Sequence, residues 1–248
     1  MLLRRITEHV RAQNWTAVGL DFLIVVVGVF IGLQVANWNE ARSEQARLSR
    51  YVDELQLDVA AEIEEMRRVQ DIAAQRHAAL SYLLGQAIDW RRPETIQRLG
   101  DDFILPEMPD IDIEVGPAIL TEILRLETVD GQRHTFDALT STGEFQLFNR
   151  HPVARELRGY YSNLVSFQDF EQDYLLPRYI SVSNALHERG IGRFGTVELD
   201  TLIGAVRDDA ELASRLQEFT LLAEVQHYRL SQLIEEAETL EDRLEELR

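Results

Sequence analysis

The pattern of apolar and polar positions divides the chain into three kinds of helix. Over residues 17–36, AVGLDFLIVVVGVFIGLQVA, the only strongly polar side chains are Asp21 and Gln34. About 20 mostly apolar residues are needed for a helix to cross a hydrocarbon core of about 30 Å. Trp15 and Trp38 bracket the run. At ~1.5 Å rise per residue they stand ~35 Å apart, a spacing that suits indole rings at two membrane interfaces. The pattern predicts a transmembrane helix over residues 15–38. A signal peptide would carry a shorter apolar core and small residues near its cleavage site, where this chain has Gln34 and Asn37. A buried core helix would keep a polar face, and residues 22–33 have none.

The second pattern is amphipathic. Leu48, Val52, Leu55, Val59, Met66, Val69, Ala73, Leu80 and Leu83 recur at four-three spacing, interrupted by Glu62 and Arg76. This predicts a long stalk helix over residues 39–89, continuous with the anchor and ended by Gly85 and Pro93. The third pattern lies at the C-terminus, over residues 209–248. Leu212, Leu216, Phe219, Ala223, Gln226, Leu230, Leu233, Ala237, Leu240, Leu244 and Leu247 form an unbroken coiled-coil seam. The two seams match in length and predict an antiparallel pair. The rival is a parallel coiled coil between two copies.

Residues 90–208 predict a helical head. Pro93 opens a short helix to about Leu99, and 105–117 is an acidic, breaker-rich loop. Thr135 caps a helix that Gly143 closes in a left-handed turn. Leu157, Tyr160, Tyr161, Leu164, Phe167, Phe170 and Tyr174 form an aromatic stripe that reads as core, and Pro177 kinks or breaks its helix. The fold class expected is therefore all-α: an N-terminal transmembrane helix running into a long helix, a helical head, and a returning C-terminal helix.

The anchor has a sided surface. At about 100° per residue Asp21, Val25, Gly28 and Gly32 share one face, and Gln34 points elsewhere. Gly28 and Gly32 make a GxxxG pair, which lets two backbones approach closely in lipid. This predicts a packing face for another membrane protein or a second copy of the chain. An intramembrane carboxylate also serves as a proton site or as the partner of a cation on another subunit. Against that, Asp21 near the interface meets water and the positive end of the helix.

Composition narrows the functions. The chain of 248 residues carries a net charge of −18, and all 25 basic residues are Arg. That balance argues against nucleic acid as a partner. No cysteine is present, so disulfides and Cys-based nucleophiles or metal sites are excluded. Residues 1–14 form a basic amphipathic arm with Arg4, Arg5 and Arg11, suited to membrane lipid. Its charge favours a cytoplasmic N-terminus and a periplasmic C-terminal domain in a bacterial inner membrane, although Arg42, Arg47 and Arg50 on the other side oppose it. His9, His77, His134, His151, His187 and His227 form no zinc-spaced pair, and no nucleophile elbow, P-loop or SxxK occurs. Gly190, Gly192 and Gly195 spell GxGxxG away from any βαβ unit, which carries no dinucleotide signal. No cofactor, metal or catalytic residue is expected.

Two blocks carry a resemblance. Gly19, Asp21, Gly28, Gln34, Val35, Asn37, Trp38, Asn39 and Glu40 resemble the anchor pattern of a family of uncharacterised bacterial single-pass inner-membrane proteins. Leu20 separates Gly19 from the acidic residue, where that family has the two adjacent. The run FDALTSTGEFQLFNRHPVARELRGYY resembles the family's second block, spaced one residue wider at Ser141-Thr142-Gly143. The resemblance implies a largely helical inner-membrane protein with no assigned activity, and it carries over no catalytic residue.

The functional expectation is a non-enzymatic, membrane-anchored periplasmic scaffold or interaction protein, its partner recruited through the transmembrane face or the head. The alternative is an accessory subunit of a proton-linked or energy-transducing complex that uses Asp21.

Overall fold

The computed structural model describes residues 15–92, 95–97, 102–104, 107–116, 118–192 and 197–247. The chain divides into two compact units, Met1–Tyr51 and Val52–Arg248. The fold is all-α, with helix α1 assigned over Trp15–Ile88.

In the first unit, α1 opens at Trp15. The arm over residues 1–14 and the Trp15 side chain lie outside the described residues. Among the described residues, one helix is long and apolar enough to cross a membrane, and it is this one. Its large apolar side chains between Leu20 and Val35 are 45–70% exposed. One turn beyond the apolar run the Arg42 guanidinium lies 5.8 Å from the centre of the Trp38 ring, a cation–π contact at the end of the span.

In the second unit, α1 from Val52 onward pairs antiparallel with α7 (Ala210–Glu245). The direction is read from side-chain bonds that step up one helix and down the other: Arg67 to Glu238, Gln70 to Ser231, Arg76 to Gln226. This places the pairing within one chain, where the sequence had also allowed a parallel coil between two copies. The predicted seams are filled. Val52, Leu55, Val59, Met66 and Leu80 on α1 are fully enclosed, as are Leu212, Leu216, Phe219, Ala223 and Leu230 on α7. Each enclosed leucine contributes about 2 kcal/mol relative to an exposed one. Asp209 starts α7 by accepting the backbone N–H groups of Glu211 and Leu212 (3.0 Å each), and Arg189 pairs with it. Those backbone donors, with Arg189, hold its carboxyl below the ordinary range.

Between the pair run α2 (Ile119–Ile123), α3 (His134–Thr142), a 3-10 turn (Glu144–Phe148), α4 (Val153–Phe170), α5 (Leu176–Glu188) and α6 (Leu199–Arg207). Helices α4, α5 and α6 pack on α7. Ala79, Leu80, Leu83 and Leu84 meet α2, α5, α6 and the start of α7 in one hydrophobic core. A second, aromatic cluster stacks Phe136 on Tyr161 (4.3 Å between centroids), with Phe145 edge-on to Phe136 and Phe148 stacked on Phe145. The 107–116 segment is irregular; Asp110, Asp112 and Glu114 face solvent while Ile113 packs on the core.

Four local expectations change. Thr95–Gln97 forms a strand, not a helix, paired antiparallel with Asp102–Ile104. The β-branched Thr95 and Ile96 suit an extended backbone better than a first helical turn. Thr135 does not cap α3 through its side chain; its own N–H donates to Asp58 Oδ2 of α1 (3.0 Å), so the cap is tertiary. Gly143 closes α3 at φ 78° as read. Pro177 does not break its helix. A π turn at Glu171–Leu175 links α4 to α5 and takes up the lost bond and ring volume. The wider turn carries Glu171 and Leu175 inward and leaves Tyr174 65% exposed, so the aromatic stripe ends at Phe170.

Candidate functional site

Asp21, Val25, Gly28 and Gly32 lie on one helical surface and are all exposed. A Cβ added at Gly28 or Gly32 would meet nothing within 4 Å. Among the described residues, nothing in the chain covers this face. Asn39 returns to it, about five turns beyond Asp21, while Gln34, Asn37, Trp38 and Glu40 point away from it. The helix thus brings part of the resemblance motif onto the glycine face and disperses the rest.

The second unit holds a buried polar network that the seam pattern showed only as interruptions. Glu62 and Arg76 occupy seam positions of α1 and are wholly enclosed. The Tyr160 hydroxyl of α4 donates to Glu62 Oε2 at 2.5 Å. Burial pushes Glu62 up to about 8, against the hydrogen bond from Tyr160 and with Asp58 and Glu65 adding to the rise, so this carboxyl is protonated at neutral pH. Glu62 Oε1 and the Tyr161 hydroxyl are enclosed without hydrogen-bond partners. Burial and the neighbouring Glu62 drive both tyrosines far above the ordinary phenol range, which keeps them as hydroxyls.

Arg76 lies on the same stripe of the same helix, about four turns beyond Glu62. Its Nη2 donates to Gln226 Oε1 (2.5 Å) and its Nη1 to the carbonyl of Arg125 (3.1 Å). Its guanidinium also stands 5.1 Å over the Phe219 ring. Gln226 donates onward to Glu171 Oε1 (2.6 Å), and the Val129 N–H reaches Glu171 Oε2 (2.9 Å). Burial lowers Arg76 to about 10 and raises Glu171 to about 7. One string of bonds therefore ties α1, α7, the π turn and the 125–129 linker. Nearby, Glu224 of α7 is fully enclosed, accepts Arg92, and faces His77.

Open grooves lie beside α7. One, about 460 Å³, is lined by Glu156, Tyr160 and Asn163 of α4 and by Gln232, Glu235 and Glu236 of α7. Another, about 450 Å³, is lined by Tyr174, Pro177 and Arg178 beside Glu218, Leu221 and Val225. Among the described residues, no group of three or more His, Asp or Glu side chains is arranged to hold a metal ion. Towards the end of α7, Glu235, Glu236, Glu238 and Glu245 are exposed.

Sequence reasoning passed over Tyr160, Glu171, Glu224 and His77 as polar site residues. The available signal was that Glu62, Arg76 and Gln226 interrupt two otherwise apolar seams, and enclosed polar groups require partners. No protein-family model matches the chain, and no curated protein or solved structure matches it either.

Proposed function

We propose that the chain is a membrane-anchored interaction protein, with its acidic helical unit in the bacterial periplasm and a partner recruited through the anchor face. One observation carries the reading. Every large apolar side chain from Leu20 to Val35 is exposed within the chain, whereas the seams of the second unit are closed. A stripe of that length left uncovered fits lipid on most sides and a neighbouring helix on the glycine side. The resemblance of the anchor to bacterial single-pass inner-membrane proteins points the same way. The reading assigns no reaction, because the buried ionisable groups serve as ties between helices.

Topology and recruitment have separate tests. A reporter fused at the C-terminus is active in the periplasm; activity in the cytoplasm overturns the orientation. Mild-detergent co-purification followed by mass spectrometry identifies the partner, and Gly28→Leu removes it while Leu23→Ala does not.

The position of Asp21 on the glycine face favours a second reading, an accessory subunit of a proton-linked membrane complex. Asp21→Asn separates the two. It leaves partner recovery intact in both, and abolishes the biological phenotype only in the second.

A further inference from the structure

Glu224 sits between two nitrogen-bearing side chains in an enclosed site. Its side chain is 0% exposed. Arg92, just beyond the end of α1, donates to Oε1 through Nε at 3.0 Å and through Nη2. On the other side, His77 Nε2 of α1 stands 3.8 Å from Oε2, and neither atom has a hydrogen-bond partner. That gap exceeds hydrogen-bond range and falls short of the ~4.5 Å that a water bridging two atoms spans. Turning it into an ion pair needs a second proton on the His77 ring and a small movement. The charged and titratable groups facing His77 are Glu224 and His227 from α7 and Arg92 from the segment after α1; Asp71, on α1 itself, acts on His227.

We propose that Glu224 is an acid-responsive clasp with two interchangeable cationic partners, Arg92 at neutral pH and protonated His77 in acid, and that the exchange releases the segment leaving α1. Two cations on one enclosed carboxylate would strand a net positive charge away from water. One of them must leave. Arg92 is 27% exposed and can trade its partner for water, whereas His77 is 9% exposed and cannot. With Arg92 seated, burial, Arg92 and His227 hold His77 down at about 4. Once Arg92 has left, one repulsive charge is gone and Glu224 is open to the imidazolium, so protonation and release reinforce each other. Arg92 follows Asp89, a non-glycine residue at φ 49°, and Trp90, which packs on the core. Its tie to α7 therefore fixes the path of the chain out of α1. The proposal concerns the second unit alone and stands whether or not the anchor reading holds.

The test is histidine-selective NMR of the full chain in detergent micelles, combined with hydrogen exchange of the peptide spanning Asp89–Arg92. The His77 signal is assigned by its loss in His77→Gln. Arg92→Gln is expected to raise the His77 midpoint by a pH unit or more, and Arg92→Lys to leave it near the wild-type value. Exchange at 89–92, corrected for intrinsic rates, is expected to rise at least twofold between pH 7 and pH 4 in the wild type. It stays flat in His77→Gln and is already high at pH 7 in Glu224→Gln. An unchanged His77 midpoint in Arg92→Gln overturns the clasp, and so does an undiminished acid step in His77→Gln. Arg92 is partly solvated, so its variants keep the helical circular dichroism of the parent, and a variant that loses it is replaced by Arg92→Met.

Discussion

Glu62 carries a cost that grows with pH. Its carboxyl is enclosed, and only one oxygen is paired, with Tyr160. The folded state raises its pKa from 4.5 to about 8, so folding is favoured by the neutral form. That contribution is complete below pH 4.5 and is lost as pH rises through 8. Glu62→Gln keeps the shape and cannot ionise. It is expected to exceed the wild type in urea-unfolding stability by ~1–3 kcal/mol at pH 9, with the difference closing by about pH 4.5. A wild type that is as stable as Glu62→Gln at pH 9 contradicts the assignment. Arg76 behaves in the opposite way. Its removal leaves Gln226 half-paired and Glu171 without a nearby cation. Arg76→Ala is expected to cost about 3–5 kcal/mol, the usual penalty for breaking a buried charged set. Both residues were visible in the sequence as polar breaks in an apolar seam. Their partners were not, because Tyr160 reads as a member of a different helix's aromatic stripe, and Glu171 as an ordinary polar position beside it, until the chain folds back.

At the scale of elements, regular periodicity was legible and local departures from it were not. The seams of α1 and α7 follow from four-three spacing alone, and every α7 seam residue from Leu212 to Leu244 is buried. The left-handed close of α3 followed from Gly143. The start of α3 did not, because its cap is Asp58, a residue 77 positions earlier. Asp58→Ala is therefore expected to destabilise the second unit by about 1 kcal/mol, as loss of a helix cap does, while Thr135→Val leaves the cap in place. Thermal unfolding followed by circular dichroism distinguishes them. The π turn was hidden for a related reason. Proline in a helix predicts a kink, and whether the chain kinks or widens depends on what the next turn must bury. Here the widening seats Glu171 against Gln226 and Val129, and the exposed Tyr174 is its by-product.

At the scale of the molecule, the enclosed titratable groups act against one another. Glu62 and Glu171 have raised pKa values, about 8 and about 7, so their support for folding is full below 4.5 and fades through those values as pH rises. His77 is lowered from 6.5 to about 4, so its support is full above 6.5 and fades as pH falls toward 4. Between pH 4.5 and 6.5 two carboxyls lose support as pH rises while one imidazole gains it, so these three groups together place the maximum at roughly pH 4. A protein this acidic is expected to gain further as its exposed carboxylates neutralise at lower pH. The two effects separate in the variants. His77→Gln removes the enclosed group on the acid side and moves the maximum to lower pH. The double change Glu62→Gln with Glu171→Gln flattens the alkaline limb and moves it higher. A melting-temperature profile of the full chain from about pH 3 to 9 reads all three curves. Identical profiles would assign the pH dependence to the exposed charge, and the enclosed ties would then be silent in this range.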